Sequence, residues 1–236
     1  MLSKLNYITW RGSVSRPKTE AVSGLADFQH PFFLKKGWEK SRSVGLIPGF
    51  GTAFLVNHSV VMTNWHVLRS AEWAEGQNVA FEVEMGDDGL PMTPIRYPLR
   101  PDLLFYSNES LDFCVVAVDG RPGESRGFID VRSHAEVKSD TRANIVQHPS
   151  GGLKQIAIRE NGVKFFDNRI IQYWTDTEHG SSGSPVFDDN WVIIGLHFQH
   201  DHAPNDVGKN VYFNEAHTMK GIVAHIDGIS NLAGAI

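Results

Sequence analysis

GTAFLVNHSVVMTN, residues 51–64, decides the fold class. Two short runs rich in Val, Phe and Thr, GTAFLV (51–56) and SVVMTN (59–64), flank the turn pair Asn57-His58, so they read as successive β-strands. The same texture continues outward from about Gly49. NVAFEVEM (78–85), LDFCVVAVD (111–119), RANIVQH (142–148), KQIAIRE (154–160), WVIIGLHF (191–198) and NVYF (210–213) are further candidate strands. Gly86-Asp87-Asp88-Gly89, Pro149-Ser150-Gly151-Gly152, Asn161-Gly162 and Asp188-Asp189-Asn190 supply turn chemistry. Helical signal is sparse: a short helix after His66 through HVLRSAEWA, and another near GIVAHIDGISNLA at the end of the chain. Strands do not alternate with long helices, which excludes a doubly wound α/β fold and leaves an all-β sandwich or barrel. The run GRPGESRG (120–127) is the best linker and divides the β region in two. Residues 1–45 mix aromatic and basic residues and are assigned no regular structure.

The bulk numbers agree with a globular chain able to bury a core. Of 236 residues, 41% are apolar and 21% charged. Lys and Arg number 22 against 27 Asp and Glu, a formal charge of −5, which argues against nucleic-acid or anionic-membrane binding through general basic charge. Cys114 is the single cysteine, so no intrachain disulfide and no multi-cysteine zinc site can form. No apolar stretch is long enough to span a membrane, and MLSKLNYITWRGS does not read as a signal peptide. These features point to a reducing interior, most simply a cytoplasm.

HGSSGSPVF (179–187) carries the chemistry. Small residues let the backbone turn sharply, expose a hydroxyl and bring N–H groups together, as acyl transfer requires. Ser182 is the candidate nucleophile and the amides of Gly180 and Ser182 the candidate oxyanion donors. The G-x-S-x-G elbow fails, because Ser184 stands where the last glycine belongs. A serine needs a base, and His66, in TNWHVL at the end of a strand, has the most suggestive setting among 11 histidines. Asp112 opens the apolar run FCVVAV, where a carboxylate needs a partner, and supplies the third role.

TNWHVL, LDFCVVAVD and GSSGSPVF, in that order after GTAFLV, resemble the chymotrypsin (trypsin-like) serine peptidase family over about residues 48–228. Within it, QYWTDTEHGSSGSPVFDDNWVIIGLHF is most similar to bacterial glutamyl endopeptidases. The resemblance implies two antiparallel β-barrels with a short C-terminal helix. Residues 1–45 would be an extension, 46–121 the first barrel with His66 and Asp112, and 122–236 the second with Ser182. It implies the catalytic set His66, Asp112 and Ser182, no cofactor, a protein or peptide substrate and regulated proteolysis inside the cell, with a regulatory partner left open. Phe198, Gln199 and His200 would offer backbone groups to an extended substrate. Ser181 replaces the aspartate with which trypsin receives a newly cut N-terminus, so that activation switch is absent.

Two features disagree on specificity. Asp176, six residues before Ser182, has the trypsin spacing for binding Arg or Lys. Thr177, five before, and His197, fifteen after, match the glutamyl endopeptidase pair that binds a carboxylate. The longer local agreement favours Thr177 and His197, with cleavage after Glu or Asp; His179 would lie near the cleft and narrow it. H-x-x-H-x-H at His197, His200 and His202 is assigned no metal, because Asp201 and a turn through Pro204 would interrupt the strand. The acidic loop from Glu82 to Asp88 reads as a solvated turn rather than a calcium site, and Cys114 as a small packed hydrophobe. Two other functions stay open: a catalytically silent binding module on the same barrel, which an activity-based probe separates, and an esterase, which amide against ester substrates separates.

Overall fold

The computed structural model describes residues 28–204 and 210–236. Helix α1 (Phe32–Ser41) leads into strands β1 (Val44–Ile47), β2 (Gly51–Leu55) and β3 (Val60–Thr63). A one-turn helix α2 (Ala71–Ala74), β4 (Asn78–Phe81), β5 (Ile95–Asn108) and β6 (Phe113–Val118) complete the first half. The short helix α3 (Gly123–Arg126) opens the crossing. The second half holds β7 (Asn144–Gln147), β8 (Gln155–Ala157), β9 (Val163–Phe166), β10 (Ile170–Tyr173), β11 (Pro185–Phe187), β12 (Ile193–Pro204) and β13 (Asn210–Thr218), then helices α4 (Met219–Asp227) and α5 (Ser230–Ala233).

The first six strands close into an antiparallel barrel in the order β1-β2-β3-β6-β5-β4, and the other seven form one sheet, β8-β7-β11-β12-β13-β10-β9. This is the chymotrypsin-like double-barrel arrangement, its second sheet open between β8 and β9. Packing explains why β3 and β6 read as unbroken apolar runs. Val61, Cys114 and Val116 fill the barrel, while Val60, Met62, Phe113 and Val115 face a second core shared with Phe187, Trp191 and Leu196. Both faces of each strand are buried, so alternation disappears. Burial also pushes the Cys114 thiol pKa up, as befits an inert core residue.

The helices and the linker depart from the sequence reading in three places. Within the stretch 1–45, to which the sequence assigns no regular structure, α1 forms and buries Phe33 with its ring 5.1 Å from Trp191, tying the start of the first barrel to the β11–β12 turn. The residues before 28 lie outside the described region. The expected helix after His66 shrinks to four residues, begun by Ser70, whose hydroxyl accepts from Trp73 N. The linker is anchored rather than loose: Arg126 is buried, bonds Glu82 at 2.6 Å and lies over the rings of Phe81 and Tyr97. The chain closes on helix as expected, but in two pieces, α4 and α5. Met219, Ile222, Val223 and Ile226 make one buried stripe of α4, and His225 reaches back to Tyr106 on β5 at 2.7 Å.

Candidate active site

Asp112 sits in the tight turn that feeds β6, at φ 41°, a conformation aspartate tolerates better than most residues. Its Oδ1 accepts the His66 backbone N–H at 2.9 Å, and its Oδ2 lies 2.7 Å from His66 Nδ1. The Asn64 side chain donates to the Asp112 carbonyl at 2.8 Å. Both carboxylate oxygens are thus committed to His66, and because a carboxylate only accepts, Nδ1 is the donor of the second bond. The imidazole is about one-third exposed (36%) and the carboxylate less so (14%).

The Ser182 loop is held between β2 and β12. Thr52 donates its N–H to Ser182 O at 2.8 Å and its hydroxyl to Gly180 O at 2.9 Å. On the other side Gly183 N donates to His197 O, and His197 N to Ser184 O, both at 3.0 Å. A Cβ on Gly51 would stand 2.8 Å from Ser182 O and 3.0 Å from Val67, so the serine loop and the segment carrying His66 converge there. Ser182 Oγ donates to Phe198 O at 3.4 Å, a weak bond that leaves the hydroxyl free to turn. The amides of Gly180 and Ser182 donate to no acceptor among the described residues. A trans peptide points its C=O and N–H in opposite directions. The His179 carbonyl accepts from Ser150 N at 2.6 Å, so the Gly180 N–H of the same peptide faces the other way, away from the 148–151 turn.

The specificity candidates separate into two groups. His197 is buried with Nδ1 2.8 Å from the Tyr173 hydroxyl, and burial, reinforced by the neighbouring His66 and His200, lowers its pKa to about 3, so it is neutral. Thr177 donates to Asn214 Oδ1 at 2.5 Å, and Asn214, the register partner of Tyr173, donates to Thr175 O. No hydrogen bond joins Thr177 to His197 among the described residues; the Tyr173–Asn214 pair stands between them. Asp176 is exposed, and with Gln147, Gln155, Arg159 and Thr177 it lines a cavity of about 460 Å³ that does not include His197. His179 is exposed, and Gln199 donates to Glu215 at 2.6 Å. Contrary to the sequence reading, β12 continues to Pro204, pairing His200 with Asn214 and His202 with Tyr212. The acidic loop is not a free solvated turn either, because Glu82 pairs with Arg126 and Glu84 with Lys154.

Sequence reasoning missed Thr52 and Asn64, fully buried polar residues in or beside apolar strands; a buried polar side chain needs partners, and that was their signal. It also missed His217, whose ring stacks on Phe198 at 4.3 Å and whose burial lowers its pKa against the opposing charge of Asp112.

The closed six-stranded barrel and the open seven-stranded sheet define a chymotrypsin-like fold. The chain belongs to the trypsin-like peptidase family: the model of the trypsin-like peptidase domain matches residues 51–196. An uncharacterized protein of Sinorhizobium fredii (strain NBRC 101917 / NGR234), y4fB, is 32% identical over 204 residues, covering 75% of this chain and 31% of that protein. The chain therefore spans about a third of the length of that curated relative. Among solved structures, a Glu endopeptidase superposes with a TM-score of 0.54 at 18% identity, over 78% of this chain and 88% of that one. Rv3671c of M. tuberculosis H37Rv, in an inactive form, does so at 0.53 and 20%, over 81% and 88%.

Proposed function

We propose that this chain is a serine endopeptidase working through an acyl-enzyme, with residues 46–121 and 122–236 as the two halves of its catalytic unit. The observation that carries the reading is the double commitment of Asp112 to His66, whose segment meets the Ser182 loop at Gly51, where the amides of Gly180 and Ser182 donate to no acceptor among the described residues. Ser182 Oγ attacks the scissile carbonyl carbon while His66 Nε2 takes its proton. The oxyanion accepts from Gly180 and Ser182 N–H. Collapse breaks the C–N bond, and the leaving amine takes the proton from His66. Water then repeats the sequence on the ester and frees Ser182. Asp112 keeps the tautomer and stabilises the imidazolium. The substrate backbone lies along residues 198–200 as an added strand.

We assign cleavage after Glu or Asp. Thr177 and His197 match the glutamyl endopeptidase pair; Thr177, whose hydroxyl proton goes to Asn214 here, would turn to meet a substrate carboxylate beside a neutral His197, whereas Asp176 faces the cavity beside β8. Likeness to the Glu endopeptidase supports the same choice. The fuller role, regulated proteolysis in a reducing compartment, rests on the lone buried Cys114 and the family resemblance. Peptides differing only before the scissile bond test the assignment. Glu should be preferred, with the preference lost in His197→Ala. A preference for Arg that Asp176→Ala abolishes and His197→Ala leaves untouched would overturn it.

A further inference from the structure

Ser150 occupies the left-handed region at φ 55°, ψ 20°. A serine there costs energy, and such a conformation persists when its surroundings fix it. Two bonds fix it here: its N–H donates to His179 O at 2.6 Å and its hydroxyl to Glu178 Oε2 at 2.7 Å. The first is the bond that turns the Gly180 N–H away from the 148–151 turn. The turn also presses on Gly180 directly, since a Cβ there would stand 2.6 Å from Gly151 N and 2.8 Å from His148 O. His148 Nδ1 donates to Gly152 O at 2.9 Å and closes the turn from within.

Both ends of the turn are anchored on the first barrel or the loop that follows β4. His148 N donates at 3.1 Å to the hydroxyl of Thr52, the residue that also holds Ser182 and Gly180. At the other end Lys154 N donates to Val83 O at 2.7 Å, and Lys154 Nζ pairs with Glu84 at 3.1 Å. The Lys154 side chain is 3% exposed, so its ammonium depends on that carboxylate. Ser181, just before the nucleophile, brings no charge to order the loop; its hydroxyl accepts from Glu178 N. The ordering must come from elsewhere.

We propose that the 148–154 turn is a clamp that keeps the Gly180 amide in the oxyanion hole, anchored to the first half by the Lys154–Glu84 pair. Ser150 and Lys154 are positioning residues, and the proposal rests on the serine-peptidase reading. The test compares wild type, Lys154→Met, Glu84→Gln and, as a control, Lys220→Met, which breaks an exposed pair with Glu136 far from the turn. Each is assayed for peptide hydrolysis and for deuterium exchange. An oxyanion donor acts on the transition state, so kcat should fall about 10–100-fold in Lys154→Met with KM within about twofold of wild type. Peptides covering 176–183 should exchange faster, and those covering β6 should not change. Glu84→Gln should move the same way by less, and it serves alone if Lys154→Met does not fold. Lys220→Met should match wild type. Unchanged exchange across 176–183 in a folded Lys154→Met or Glu84→Gln overturns the clamp, as does a kcat equal to wild type. A wild type that neither hydrolyses peptides nor takes an active-site probe sinks the peptidase reading instead, and the exchange arm still judges the clamp.

Discussion

Gly183→Ala isolates the geometry behind Ser182. Gly183 has φ 87°, which an L side chain adopts at a cost of about 1–2 kcal/mol. Its added Cβ would stand 2.0 Å from Thr52 O and 2.3 Å from Thr63 Oγ1. The first is strand backbone, and the hydroxyl is itself bonded to Thr52 O at 2.7 Å, so neither can swing aside. Relieving such overpacking costs a further ~1–3 kcal/mol. The sum, about 2–5 kcal/mol, is a large share of the ~5–15 kcal/mol that holds a domain together. The loop can yield only by drawing Ser182 away from β2, and a misplacement near 1 Å costs about 100-fold in rate. Urea unfolding followed by tryptophan fluorescence gives the stability, and kcat per folded molecule gives the rate. Gly180→Ala is the companion, because its Cβ meets the 148–151 turn rather than β2. It should lose less stability than Gly183→Ala while still lowering kcat. If Gly183→Ala loses under about 0.5 kcal/mol, the typical size of a harmless surface change, and keeps full kcat, the packing argument for the loop is wrong.

Asp112→Asn keeps the turn, since asparagine also tolerates φ 41°, but offers an amide where His66 needs a carboxylate; kcat should fall about 10⁴-fold, the loss known for chymotrypsin-type triads, with near-wild-type unfolding. Acid should destabilise the fold through buried neutral histidines. Desolvation lowers His148 to about 4 and His197 to about 3, so below pH ~6.5 the unfolded chain takes protons the native state refuses. Stability is full above that pH and falls toward pH 4 by about 1.4 kcal/mol per unit for each histidine, a slope that urea midpoints across pH should show and that His148→Gln should shrink. Phe33→Ala should cost about 3–5 kcal/mol in the same unfolding assay, because it empties a buried site against Trp191.

What the sequence disclosed depended on whether local pattern and tertiary role agreed. TNWHVL, LDFCVVAVD and GSSGSPVF marked a strand end, a buried strand and a small-residue loop, and the structure has β3 ending before His66, β6 starting just after Asp112 and a loop at Ser182, since such features are written in local composition. β5 escaped notice because Pro98, Pro101 and its charges break the apolar run; the strand is mostly half-buried and its register shifts between Arg100 and Phe105. β4 stops at Phe81, short of the run through Met85, because Glu82 turns to φ 62° and pairs with Arg126. α1 was hidden because its burial comes from Trp191, far along the chain, rather than from a broad apolar stripe of its own. Ser150 shows the same limit: its importance lies in a bond to His179 O that no spacing predicts.

Active-site labelling tests the central claim most directly. The protein is treated with a fluorophosphonate, and the modified residue is located by intact mass and peptide mapping. One adduct is expected, on Ser182, formed quickly by wild type, absent in Ser182→Ala and slowed by orders of magnitude in His66→Ala. A folded wild type that takes no label, or a label on another residue that survives Ser182→Ala, would contradict it.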